Sequence, residues 1–297
     1  MNDPLRGWPL PLVVAVLAIP LLTWADGDQL VLRVAVLGIA GLGLVPVLGW
    51  LRTLWLLPPA IAGLAAWAVA EVMRAGQAVP VAAVAASAVG VAAGAGAAEV
   101  TRRVPLRLRP WVGLAAVAGV WAVVLPYAGT APAPRPVLFG LDLSAGRGLA
   151  GLALVLLGAA AWAVANLARS HAGRGIAVAG ASPRLATRAG VSAPRAWMAA
   201  GAVSGLLSAW AGLLLALEAQ ALPAANQFAP AVAVLWLGAP LLGGVAWPSG
   251  ALLGALAVGA VAALAGGHAA VAGGAAAVGA LLGAGGAVGL ITRRGRS

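Results

Sequence analysis

Residues that could carry out acid–base or nucleophilic chemistry are few in this sequence and do not cluster. The chain has 297 residues, of which seven are acidic and two are histidine, and it contains no cysteine. The acidic residues lie singly near the ends of apolar runs, with no HExxH pattern and no Ser/His/Asp set. The sequence therefore predicts no catalytic residue and no metal site, and we expect no enzyme. Lysine is also absent, so no phosphate-binding loop of the Gly-Lys-Ser/Thr type exists, and any ATP must bind to another chain.

The longest arginine-bearing polar segment is 169–195, which contains no acidic residue. It lies between the apolar runs 148–167 and 197–217, each long enough to cross a bilayer as a helix. We therefore expect this segment to lie outside the hydrocarbon on the cytoplasmic face, where soluble proteins can contact it. The alternative is an ordinary basic loop that only fixes membrane topology. Its five arginines are Arg169, Arg174, Arg184, Arg188 and Arg195.

Lipid is the expected solvent of the chain, because 63% hydrophobic and 8% charged residues leave too little polar surface to face water. The fold class expected is all-α, a polytopic integral membrane protein in which residues 1–297 form one transmembrane domain. A helix crosses the hydrocarbon in about 20 residues. The ten predicted spans are 8–25, 30–50, 53–71, 78–98, 110–128, 148–168, 196–217, 230–246, 250–266 and 269–291. The first could instead be a signal peptide, although Pro9, Pro11 and Pro20 interrupt it.

The arginines sort to one side of these ten spans, as the positive-inside rule requires of cytoplasmic connections. With the N-terminus inside, only Arg33, Arg74, Arg135 and Arg147 of the 18 basic residues fall outside. We therefore predict a multi-pass protein of the inner (plasma) membrane with both termini in the cytoplasm. The net charge of +11 is assigned to this topology rather than to nucleic-acid binding.

Small residues recur four apart within the predicted spans, which lets a neighbouring helix backbone approach closely. We assign such pairs, and the adjacent Gly243 and Gly244, to helix packing, although no single pair identifies a dimer face. The pairs are Gly90 and Gly94, Gly201 and Gly205, Gly250 and Gly254, and Gly279 and Gly283.

Few polar residues are placed to face a permeation route, and each could instead hydrogen-bond to a neighbouring helix. They are Asn166, Ser204, Ser208, Asn226 and Gln227. A route this weakly polar suits an amphipathic solute better than a bare ion. Glu99 is the nearest candidate for a proton-coupled carboxylate, but pairing with the adjacent Arg102 and Arg103 explains it more simply.

Three patches follow one another in the second half of the chain. The first reads Arg169-Ser170-His171-Ala172-Gly173-Arg174, the second begins at Ala186 and ends at Gly190, and the third runs from Gly243-Gly244 through Trp247 to Gly254. In order and spacing they resemble the membrane permease subunit of branched-chain amino-acid ABC importers, specifically the LivM-like member. The resemblance covers about 170–255. A weaker similarity lies at 104–109, where Leu-Arg-Leu-Arg precedes an apolar span.

This resemblance implies that 169–195 is a coupling segment that receives motion from an ATPase. Ser182 and Pro183 fit the start of a short helix within it, and Gly190 fits a sharp turn at its end. The coupling residues expected are Gly173, Arg174, Pro183, Arg184, Ala186, Arg188 and Gly190.

The partners implied are a second permease subunit, two cytoplasmic ATPase subunits that hold ATP, and an extracytoplasmic solute-binding protein. The chain itself would bind no cofactor and would work by alternating access. The solutes implied are branched-chain amino acids or related small molecules, including amides and urea.

Two departures from the family keep other interpretations open. Gly49-Trp50-Leu51 stands where a longer glycine-tyrosine motif is expected, and Ala181 and Pro183 stand where family members carry acidic residues. A stand-alone membrane carrier without an ATPase, or a degenerate permease-like scaffold that no longer transports, are the alternatives. An ATPase gene beside this one would favour the importer.

Overall fold

A computed structural model of the chain describes residues 27–124, 136–138, 140–143, 146–220, 228 and 230–264. These residues are mostly helical, and the one sheet among them is a two-stranded hairpin. The helices are α1 Gly27–Leu44, α2 Pro58–Arg74, α3 Val79–Arg103, α4 Arg109–Val124, α5 Gly146–Arg169, α6 His171–Ala181, α7 Pro183–Arg188, α8 Ala193–Ala219, α9 Pro230–Gly243 and α10 Pro248–Leu264. The π-helical segment Val45–Trp50 continues α1, a 3₁₀ turn Leu106–Leu108 precedes α4, and β1 Val137–Leu138 pairs antiparallel with β2 Leu141–Asp142.

Four helical stretches in this part of the chain are long and apolar enough to cross a membrane. They are Gly27–Trp50, Val79–Arg103, Gly146–Arg169 and Ala193–Ala219. The protein is therefore a helical membrane protein. The shorter α2, α4, α9 and α10 coincide with four further predicted spans. The count of ten is not established, and the predicted spans 8–25 and 269–291 lie outside the described residues.

The central helices of the bundle are α1 and α8, which are buried along most of their length. Helices α3 and α5 bury one face and expose the other. The exposed face of α3 carries Val84, and that of α5 carries Val155 and Trp162. Such apolar faces suit lipid, because acyl chains are as apolar as the side chains they cover.

The most extensive helix contact joins α3 to α8 through two facing pairs of glycines. A Cβ added at Gly94 would overlap the carbonyl oxygen of Gly201, and one added at Gly205 would overlap that of Gly90. The two helices therefore run antiparallel with their backbones in direct contact, which only glycine permits. The predicted packing pair Gly201 and Gly205 thus lies inside the chain's own bundle.

The basic connections collect at one end of this bundle. Helices α1 and α5 run parallel, because Gly146 lies beside Asp28 at their starts and Gly38 faces Leu157 further along. Their ends therefore place Trp50 and the segment 169–195 together. Since α3 is antiparallel to α8, the connection 104–109 lies at the same end, which we call the arginine-rich end.

The predicted span 53–71 is wrong in its first five residues. Residues 52–57 are not helical, and α2 begins only at Pro58. Two consecutive prolines explain the boundary: Pro58 and Pro59 lack amide hydrogens, and inside a longer helix their rings would clash with the carbonyls of Leu54 and Trp55. The chain enters the bundle here without helical structure.

Candidate functional site

Helix α6 turns sharply out of α5, and two small residues make the turn. The Ser170 hydroxyl accepts a hydrogen bond from the Gly173 amide at 3.1 Å and donates to the Leu167 carbonyl at 2.7 Å, so it caps α6 and closes α5. A Cβ at Gly173 would overlap that same carbonyl. Arg174 is exposed, and its guanidinium lies 3.2 Å from Nδ1 of His171.

Helix α7 begins and ends with the residues that local sequence rules predict. The Ser182 hydroxyl accepts from the Leu185 amide at 3.4 Å, and Pro183 occupies the first turn. Gly190 has φ of +69°, and the Val191 amide donates to the Ala186 carbonyl at 2.8 Å across the turn. Ala186 is buried, and the neighbouring Arg184 and Arg188 are exposed. Helices α6 and α7 therefore form a short elbow that points its arginines outward.

Helix α6 packs backbone to backbone on the end of the π-helical segment. A Cβ at Gly180 would overlap the carbonyl oxygen of Trp50 and lie 2.6 Å from Cα of Leu51. Ile176 lies one turn earlier on the same face and is buried. Gly180 was not identified as a site residue from sequence. The only available signal was its position on the helical face that carries Gly173 and Ile176.

The π-helical segment in turn contacts the loop between α9 and α10. A Cβ at Gly49 would overlap the Val245 carbonyl, and the Trp50 indole nitrogen donates to the Ala246 carbonyl at 3.4 Å. Three segments that are distant in sequence therefore meet in one contact. We call it the junction, and it consists of Gly49, Trp50, Leu51, Gly180, Val245 and Ala246.

Close glycine packing also forms the α9–α10 hairpin. A Cβ at Gly243 would overlap the carbonyl oxygen of Gly250 and lie 2.7 Å from the amide nitrogen of Gly254. Gly244 has φ of +114°, a conformation that side chains disfavour. The predicted packing glycines Gly243 and Gly244 thus lie at the tight turn, and Gly250 and Gly254 lie in the first two turns of α10 that pack against it.

The arginine-rich end carries many guanidinium groups and little negative charge. Glu99 accepts from Arg102 at 2.8 Å and from Arg103 at 2.8 Å, so the predicted local pairing of this carboxylate is confirmed. Arg109 lies over the ring of Trp197 at 4.9 Å, which ties the start of α4 to the start of α8. The other arginines here are exposed and form no salt bridge within the described residues: Arg52, Arg107, Arg169, Arg174, Arg184, Arg188 and Arg195.

The predicted pathway residues do not form one group. Ser204 and Ser208 are fully buried in α8, and the Ser208 hydroxyl donates to the Ser204 carbonyl at 2.8 Å. The Ser204 hydroxyl finds no partner among the described residues, and the backbone of Ser204 packs against Gly43 of α1. Asn166 is instead exposed near the end of α5. The predicted pathway residues Asn226 and Gln227 lie outside the described residues.

No metal-binding group of three or more His, Cys, Asp or Glu side chains occurs in the described part of the chain. The arginine-rich end therefore presents a positively charged surface, and the contact of Gly180 with Trp50 and Leu51 connects that surface to α1.

Comparison with protein-family models, with curated proteins and with solved structures finds no match to this chain.

Proposed function

We propose that this chain is a transmembrane permease subunit of an ATP-driven ABC importer, and that segment 169–195 is the surface on which a cytoplasmic ATPase acts. One observation carries the proposal above all. The α6–α7 elbow is joined through the junction to the end of the buried first helix, because Gly180 contacts Trp50 and Leu51 directly. An elbow that served only as a basic loop would not need backbone contact with a membrane-embedded element.

Rigid connection is what a coupling element requires. A force on α6 reaches Trp50 without an intervening side chain, and Trp50 contacts the α9–α10 hairpin through Ala246. Packed interfaces of this kind move as units rather than bending continuously. Displacement of the elbow would therefore shift α1 and the hairpin together, which is one way to alternate access between the two sides.

The family resemblance supplies the remaining parts of the proposal. ATP would bind to two cytoplasmic ATPase subunits, a second permease subunit would complete the membrane pore, and an extracytoplasmic protein would deliver the solute. The solute would be a branched-chain amino acid, a related amide or urea. The unpaired arginines of the elbow call for acidic groups on the ATPase surface that meets them.

Co-purification from the native membrane in mild detergent tests this proposal. We expect an ATPase chain to remain bound to the wild-type protein, and we expect Gly190→Pro and Arg174→Glu to weaken its recovery. Proline cannot adopt the φ of +69° found at Gly190. Arg174→Glu reverses an exposed charge of the elbow.

Two matched variants distinguish a loss of ATPase binding at the elbow from destabilisation of the whole protein. Gly76→Pro makes the same change at another positive-φ glycine, between α2 and α3 at the opposite end of the bundle. Arg147→Glu reverses an exposed arginine at the start of α5. Both should retain the ATPase. Absence of any ATPase from the wild-type sample, under conditions that preserve a known importer, would favour a stand-alone carrier or a scaffold.

A further inference from the structure

One arginine fixes the turn between α3 and α4. The Arg109 guanidinium donates to the Val104 carbonyl at 3.1 Å and to the Arg102 carbonyl at 3.5 Å. The same group lies over the ring of Trp197 near the start of α8. We call residues 102–109 the α3–α4 turn. Because Arg109 ties the backbone of this turn together and to α8, the turn holds a fixed position at the arginine-rich end.

Exposed apolar stripes on two helices lead to this turn. On α4 the stripe runs through Trp111, Ala115 and Gly119, and on α3 it runs through Gly96 and Val100. Each stripe repeats every four residues, which is the spacing of one helix face. In a membrane protein such stripes face the acyl chains of the lipids. Lipid therefore covers these faces of both helices as far as the α3–α4 turn.

An exposed arginine lies just beyond the end of each stripe. On α3, Arg103 follows Val100 by three residues, and its side chain is 72% exposed. Beside α4, Arg107 precedes Trp111 by four residues and is also exposed. Tryptophan is enriched where a membrane meets water, so Trp111, which is 67% exposed, marks the level at which α4 enters the hydrocarbon. Both arginines therefore lie at the level of the lipid headgroups.

Positive charge dominates this level. Residues 99–109 contain four arginines and one glutamate, so their net charge is +3. The single carboxylate, Glu99, accepts from Arg102 and Arg103, whereas Arg107 forms no salt bridge within the described residues. A guanidinium can bind phosphate oxygens through two parallel N–H donors. The complementary ligand therefore carries a phosphate at the turn and acyl chains along the stripes.

We propose that the α3–α4 turn binds an anionic phospholipid, with Arg107 as the main contact of its phosphate, Arg103 beside it, and the acyl chains along α3 and α4. Basic clusters at the ends of membrane helices attract anionic lipids in this way. The apolar stripes run directly into the arginines, which favours a lipid over a soluble partner, whose surface would not extend into the hydrocarbon. The proposal does not depend on the importer, because it requires only that the chain crosses a membrane.

Quenching by brominated lipids tests the proposal, because a bromine atom quenches only a fluorophore that it contacts. The reporter is Leu108→Cys, at a 48% exposed position of the turn, carrying a bimane group in a chain that has no native cysteine. The full-length protein is placed in nanodiscs that contain either brominated phosphatidylglycerol or brominated phosphatidylcholine. One arginine near a membrane surface is worth about fivefold in anionic lipid binding. We therefore expect phosphatidylglycerol to be preferred about five- to twentyfold at this position.

Two substitutions and a second reporter show whether the preference belongs to this turn. Arg107→Gln should lower it about fivefold. Arg147→Gln removes an exposed arginine at the opposite end of the bundle and should leave it unchanged. Val81→Cys places the same fluorophore at an exposed position in the first turn of α3, also at the opposite end, and should report a preference near one.

Three results would overturn the proposal. They are equal quenching of Leu108→Cys by the two brominated lipids, a preference that Arg107→Gln does not change, and an equal preference at Val81→Cys, which would indicate attraction to the whole protein. Equal quenching combined with photo-cross-linking of an ATPase to position 108 in native membranes would assign the turn to a soluble partner. A preference that Arg107→Gln lowers, in a protein from which no ATPase is recovered, would keep the lipid site and reject the importer.

Discussion

The α3–α8 contact can be tested by adding one methyl group at Gly94. The Cβ of an alanine there would lie 2.8 Å from Cα of Gly205 and would overlap the carbonyl oxygen of Gly201. Restoring ordinary contact with the Gly201 carbonyl oxygen requires the two helices to separate by about 1 Å or more, which also loosens the neighbouring Gly90 contact. Gly94→Ala therefore acts on a backbone contact that no rotamer change can relieve.

The expected magnitude follows from two opposing effects. Overpacking of a well-packed contact costs about 1–3 kcal/mol. Alanine favours the helix over glycine by about 1 kcal/mol, which offsets part of that cost. We therefore expect Gly94→Ala to lower the free energy of unfolding by up to about 2 kcal/mol, and to be about 1–3 kcal/mol less stable than a variant that gains the same helix propensity without the overlap. A leucine at the same position should prevent the two helices from packing at all.

Gly96→Ala is the matched control, because it lies on the same helix and an added Cβ meets nothing within 4 Å. It should be neutral or stabilising by up to about 1 kcal/mol. Unfolding in mixed detergent–SDS micelles, followed by circular dichroism, measures both variants. Equal stability of Gly94→Ala and Gly96→Ala would refute the facing-glycine contact.

Three further predictions concern the arginine-rich end. Gly180→Leu should separate α6 from Trp50 and reduce ATPase stimulation by solute while the ATPase still binds, as measured on the purified complex. Trp50→Phe removes the bond to Ala246 and part of a buried ring, and should lower the free energy of unfolding by at least about 0.5–1.5 kcal/mol; unchanged stability would contradict the contact. Ser182→Ala removes the α7 cap, worth about 1 kcal/mol, and should speed amide hydrogen exchange at Leu185, with unchanged exchange arguing against the cap.

Local rules identified much of this structure from sequence. Apolar run lengths located eight of the helices, and the Ser182-Pro183 start and the Gly190 turn of α7 follow from capping and from backbone conformation. The glycine pair in α8 was identified as a packing surface. The cap, the turn and the glycine pair each depend on residues within a few positions of one another, and over that range residue spacing predicts local structure.

Long-range features could not be predicted in the same way. Nothing in the sequence shows that Gly201 and Gly205 face Gly90 and Gly94 rather than another subunit. The junction contact at Gly180 depends on the direction in which α6 leaves α5. The non-helical entry to α2 was missed because residues 53–57 are apolar enough for a span, and hydropathy outweighed the two prolines that prevent a helix there.

Cross-linking from the elbow tests the central claim most directly. Leu185 is 54% exposed at the tip of α7, and Leu141 is 62% exposed on β2, outside the arginine-rich end. Each can be changed to the chain's only cysteine and fitted with a photo-activated cross-linker in native membranes. The account predicts an ATPase chain attached at position 185 and none at position 141. Recovery of no ATPase from position 185, or of equal amounts from both positions, would contradict it.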